Sequence, residues 1–187
     1  MPLRPQLEAI KAEADQTRAK ATEVLPKLTG EQLTWTPDKD RWTIAQILDH
    51  LNTVHRMLIP RFEEALKDAP AAEPGSNELV KPGFMDRMLI RVTSPSSPVK
   101  IPVPPMFLPE ESPDPKTAVG DFFRLHDRLI GLLVQADGFR LKGVIVTSPV
   151  SDRLRVGCVT YFEANFGHEL YHWNQVEALT ATAGFPK

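Results

Sequence analysis

The sequence predicts an all-α fold: a four-helix bundle with a long proline-rich crossover between its second and third helices. Three observations carry this. Four segments repeat apolar residues at helical spacing, no convincing run of strands separates them, and the prolines are concentrated in one place. Of 18 prolines in 187 residues, twelve lie between Pro60 and Pro115, so the excess marks one irregular segment inside a folded chain. Residues 1–187 are read as a single domain, with 70–115 as a proline-rich insertion within it.

The first helix is expected from about Leu3 to Leu28, where Leu3, Leu7, Ile10, Ala14, Ala21, Val24 and Leu28 recur at three-, four- and seven-residue steps. Thr29-Gly30 breaks it, and Gln32 is placed for a capping box on a short turn over Glu31–Trp35. The second helix starts at Thr43, where Thr43-x-x-Gln46 forms another capping box. Ile44, Ile47, Leu48, Leu51, Val54, Leu58, Phe62 and Leu66 make its apolar arc, with Pro60 expected to kink it near its end.

In the proline zone a short helix is expected over Phe84–Val92. Val99–Val103 and Pro104–Pro109 read as extended or polyproline chain. The zone's apolar residues (Met85, Met88, Leu89, Ile90, Val103, Met106, Phe107, Leu108) favour docking on the core over disorder, as an ordered flap beside the bundle. The third helix runs from Pro115, capped by Asp114, to Ala136. After a loop, the fourth helix is expected from Tyr161 to Leu179, with Thr160-x-x-Glu163 as its capping box.

Composition excludes several functions. Lys and Arg total 22 against 24 Asp and Glu, a net charge of −2, and no basic run marks a nucleic-acid binder. No apolar run approaches membrane-spanning length, and Met1-Pro2-Leu3-Arg4-Pro5 does not resemble a signal peptide, so a cytoplasmic protein is expected. One cysteine, Cys158, excludes an internal disulfide framework and is read as a small buried residue.

The chemistry lies in the histidines His50, His55, His126, His168 and His172. His168 and His172 are four apart, which on a helix places both rings on one face, as a divalent metal requires. Tyr161, Asn165 and Gln175 share that face. Asn165 and Gln175 are candidates to orient an imidazole, or are simply polar positions near the bundle end.

The string His168-Glu169-Leu170-Tyr171-His172 also matches the H-E-x-x-H of zinc proteases. Only 15 residues follow it, however, and Gln175 and Ala178 stand where that motif's extension would need Gly and His. Glu169 therefore reads as a solvated helix residue. A third ligand must come from elsewhere, and spacing alone ranks His50 and His55 about equal.

The run Leu28-Thr29-Gly30-Glu31-Gln32-Leu33-Thr34-Trp35-Thr36-Pro37, followed by Arg41-Trp42-Thr43-Ile44-Ala45-Gln46-Ile47-Leu48-Asp49-His50-Leu51-Asn52, resembles the start of the second helix in the DinB-like superfamily. His168, His172 and Gln175 resemble its H-x-x-x-H-x-x-Q last helix. The resemblance implies a four-helix bundle with a metal triad at His50, His168 and His172. The ion implied is divalent, zinc or nickel first, manganese or iron next.

It further implies a small-molecule substrate, such as a low-molecular-weight thiol, and a homodimer. The activities implied are thiol S-transfer or metal-dependent hydrolysis; the alternative is a non-enzymatic, stress-related helical dimer that binds a small ligand or partner. His55 and His126 are then expected to be structural or exposed, Trp42 a packing residue, and Asp49 and Glu163 solvated or capping. Thr43 stands where the family has Ser, and the crossover is longer and richer in proline than in many members.

Overall fold

A computed structural model of the chain describes residues 3–73, 76–94 and 102–187. It is mostly helical. The long helices are α1 (Pro5–Val24), α3 (Ile44–Lys67), α5 (Pro115–Ala136) and α6 (Cys158–Thr180); α2 (Gly30–Thr34) and α4 (Phe84–Thr93) are short. α1 packs on α5 and α6, and α3 packs on the same two, so the four long helices close a ring.

Local signals explain most boundaries. Thr29 and Thr43 each accept from the backbone N–H three residues on, and Gln32 and Gln46 reach back to the cap N–H, completing both capping boxes. Asp114 accepts from the Thr117 N–H ahead of Pro115. α1 ends at Val24, short of Leu28, because Pro26 supplies no N–H and the chain tightens into a 3-10 turn over Leu25–Lys27. α3 continues through Pro60 to Lys67.

α6 begins at Cys158, not Tyr161, and Thr160 is not its cap. A two-stranded antiparallel ribbon, absent from the sequence expectation, feeds directly into it. β1 (Ile145–Thr147) pairs with β2 (Arg155–Gly157), with buried Val146 opposite buried Val156. The Cys158 N–H then donates to the Val144 carbonyl. Asp86 of α4 accepts from both the Gly157 and Gly83 N–H groups, joining α4 to this corner.

The crossover does dock on the bundle, but not through all its apolar residues. Phe107 is buried and Leu89 and Val103 pack against the core, whereas Phe84, Met85, Met88, Met106 and Leu108 are exposed. Pro105–Phe107 forms a 3-10 turn in place of the expected extended chain. Most of the expected Val99–Val103 stretch lies outside the described residues.

The apolar core falls into two clusters. One holds Phe62, Leu129, Phe162 and Phe166, and the other holds Ile44, Leu48, Phe122 and Trp173. The buried polar residues Asn52, His55, His126, Asn165 and Glu169 are set among these helices. No helix among the described residues is long and apolar enough to cross a membrane.

Candidate metal centre

The capping box at Thr43 fixes the start of α3, and His50 follows on the face that carries Ile47 and Val54 into the bundle. α6 brings His168 and His172 to the same point. Ligand nitrogens of these three residues lie within 4.8 Å of one another. The Nε2 atoms of His50 and His168 are 3.4 Å apart, and those of His172 and His168 are 3.0 Å apart. Two nitrogens bound tetrahedrally at ~2.0–2.1 Å to one ion stand ~3.3 Å apart. His50 and His172 are buried and His168 is half-buried.

The second nitrogen of two rings is committed. His50 Nδ1 donates to the Phe107 carbonyl at 2.6 Å, and His172 Nδ1 donates to Gln175 Oε1 at 2.8 Å. Each neutral ring must then carry its lone pair on Nε2. Those lone pairs converge on His168 Nε2, which could donate to only one of them. Three converging acceptors with too few protons are a donor set for a cation, so the residues present fit a divalent metal.

Electrostatics agree, since burial lowers all three imidazoles. His50 is lowered by burial despite the Phe107 carbonyl. His168 falls well below the ordinary value through burial and its two histidine neighbours. His172 drops to about 3 through burial and His50. Neutral imidazole is the form that binds metal.

The surrounding residues match some expectations and correct others. Trp42 is more than a packing residue: its ring lies parallel to His172, centroids 6.1 Å apart, and 5.1 Å from His50. Asp49 is buried, and its carboxylate accepts from the Glu110 N–H, clasping the crossover to α3. Gln175 orients His172, one of its two expected roles. Cys158 is fully buried and burial pushes its thiol up to about 12. Glu163 is half-buried, and burial raises its carboxyl.

Glu169 is fully buried, not solvated. Its Oε1 lies 2.9 Å from His55 Nε2 and its Oε2 2.7 Å from His126 Nδ1, and both histidines are fully buried. Asn165 Nδ2 also donates to Oε1. Burial opposes ionisation of Glu169, but the two histidines outweigh it and hold the carboxyl at about 2. Burial likewise opposes charge on His126, and Glu169 outweighs it, leaving that imidazole raised.

The sequence carried a signal for this layer. Glu169 interrupts the stripe Phe162, Phe166, Trp173, Val176; His126 interrupts Phe122, Leu129, Leu133; and His55 interrupts Leu51, Leu58, Phe62. Three polar residues that break three apolar stripes must satisfy one another. The Phe107 carbonyl carried no such signal, because a backbone acceptor has no residue type.

A cavity of about 710 Å³ opens over the three histidines. α3 and α6 form its length, α4 and the ribbon its flank, and Pro102–Phe107 part of its rim. The structure thus brings together His50, His168 and His172 and leaves His55 and His126 in the layer with Glu169.

Comparison with known proteins gives one result. No curated protein and no solved structure matches the chain. A family model, that of the DinB superfamily, matches residues 13–176, which span both the helix carrying His50 and the helix carrying His168 and His172. The chain belongs to the DinB superfamily.

Proposed function

We propose that this protein is a metal-dependent enzyme that transfers a low-molecular-weight thiol onto an electrophilic small molecule. His50, His168 and His172 would hold a divalent ion, zinc or nickel before manganese or iron. The observation that supports this is the convergence of three Nε2 atoms at the wall of a cavity large enough for a small-molecule substrate. A divalent ion with open positions lowers the pKa of a bound thiol or water towards neutrality.

The protein's own residues do the rest. Gln175 and the Phe107 carbonyl hold two imidazoles in the ligating tautomer, Trp42 walls the histidines, and the crossover forms part of the cavity rim. Hydrolysis is the second reaction class such a site supports. Among the described lining residues the one carboxylate is Asp40, beside Arg41, and no carboxylate oxygen is among the groups that meet at the three histidines. That favours thiol transfer. A protease role through Glu169 has no support, because both its oxygens face buried histidines.

We place the protein in the cytoplasm as a homodimer, with the exposed Phe84, Met85 and Met88 as the apolar face a second copy would cover. Sedimentation as a monomer would remove that part. For the function, the protein is dialysed in parallel against Zn²⁺, Ni²⁺, Mn²⁺ and Fe²⁺ and its metal content measured. Conjugation of a panel of thiols to monochlorobimane is then followed by fluorescence. One ion per chain, lost in His168→Ala together with turnover, is the expected result. Failure to retain any ion sinks the proposal, and retention without turnover points to the non-enzymatic dimer.

A further inference from the structure

The cavity has two unlike ends. α3 and α6 run antiparallel along it: His50 faces His168 and His172, while Phe62, three turns on, stacks against Phe162, centroids 3.9 Å apart. The histidines therefore lie midway along the groove. Beyond them in one direction come Arg41 and Asp40. In the other, an arm follows α6 from His168 back to Tyr161, seven residues or ~10 Å of helix.

That arm is walled by Val54 and Leu58 of α3, Leu89 and Val92 of α4, Val103 of the crossover and Leu154 beside the ribbon. Among the described residues it has no Lys, Arg, Asp or Glu. Its polar end is already paired, since the Tyr161 hydroxyl donates to Ser148 Oγ at 3.0 Å. An anionic group pushed into it would lose its hydration and meet no cation among the described lining residues; Arg61, whose charge reaches Tyr161, lies 3.7 Å from Asp152.

We infer that the arm between α3, α4 and α6 takes the uncharged, apolar body of the substrate, an elongated neutral molecule whose reacting end lies at the histidines. This rests on the three-histidine centre being the reacting end, but the arm's preference for neutral chains follows from its walls and does not need the metal. Anchoring of any charged portion is left to the Arg41 end. Discrimination between substrates thus comes from α4 and the crossover, which supply two walls of the arm.

The test uses the full-length chain in EDTA, so that no carboxylate can bind through a metal. N-phenyl-1-naphthylamine, a neutral dye that fluoresces when buried, is bound and then displaced by 1-alkanols from six to ten carbons and by alkanoates of equal length. Alkanol affinity should rise about fourfold per methylene until the chain outgrows the ~10 Å arm. Alkanoates should bind at least tenfold more weakly.

Leu89→Arg, on a half-buried wall, should narrow or invert that ratio, and Leu154→Arg, on the wall beside the ribbon, should do the same should the first variant fail to fold by circular dichroism. Because EDTA strips the wild-type chain of metal, the preference is read without the metal centre, so loss of the metal function and loss of this inference are separable. Absence of dye binding, alkanoates binding as tightly as alkanols, or an unchanged ratio in folded arginine variants would each overturn it.

Discussion

Replacing Glu169 by Gln separates two roles that the H-E-x-x-H string offers. In the structure the carboxylate is fully buried and touches His55 and His126, at 2.9 and 2.7 Å. Its pKa falls from 4.5 to about 2 on folding. The unfolded chain therefore binds more protons between those values. The stability due to Glu169 is present above about pH 4.5 and is lost as pH falls towards 2. About two and a half pH units correspond to roughly 3 kcal/mol. Removing one partner of a buried pair costs a similar ~3–5 kcal/mol.

For a chain of this size Glu169→Gln should then lower Tm by ~6–20 °C. The His126 imidazole offers a second readout by NMR. It is raised in the wild type by Glu169 against its burial, so in the variant burial, the largest influence left beside Asp127 and Arg18, should carry it below 6.5. Metal content per folded chain should not change, because neither oxygen faces the triad. A Tm within ~2 °C of wild type with an unmoved His126 titration would refute this. So would a fully folded, fully loaded variant without turnover, which would return Glu169 to the role of base.

Three further outcomes follow from the site. Gln175→Ala frees His172 Nδ1, so metal affinity by calorimetry should fall ~10–100-fold with little change in Tm; an unchanged affinity would mean the tautomer needs no such support. Zinc affinity should fall less than ~10-fold from pH 7 to 5.5, against ~600-fold for three histidines titrating near ~6.5, because all three imidazoles are lowered, His172 to about 3; a steep loss would show that they protonate freely. Cys158, buried and raised to about 12, should ignore Ellman's reagent at pH 8 in the native protein and react after unfolding in urea, and native reactivity would contradict its packing.

The parts of this molecule legible from sequence are those in which a side chain acts on its own neighbourhood. Thr29 with Gln32 and Thr43 with Gln46 announce helix starts, because the reciprocal bonds form within four residues. His168 and His172 announce a shared face because helix geometry fixes it. Spacing did not choose between His50 and His55. Their fates differ by what lies opposite: α6 presents His168 and His172 to one, Glu169 to the other. The ribbon escaped because three-residue strands are too short to show alternation, and its pairing depends on residues ten apart. Likewise α6 begins early because the ribbon delivers the chain at Cys158, which no property of Thr160 and Glu163 reveals.

The crossover ties these threads together. It carries most of the prolines, and it bonds to α3 at Gln46 and at two adjacent residues: Glu111 accepts from Gln46 Nε2, the Glu110 N–H donates to Asp49, and Phe107 accepts from the His50 ring. Its Val103 and Pro104 also line the cavity. The segment that shapes the substrate arm therefore also sets the tautomer of a metal ligand, through a backbone carbonyl that any sequence can supply. Proline suits both tasks, since its fixed φ lowers the entropy lost on ordering the loop. Side chains on the crossover can then change, and with them the arm's walls, while the Phe107 carbonyl stays in place. A change in crossover length is different, because it would move that carbonyl away from His50 and weaken the metal centre itself.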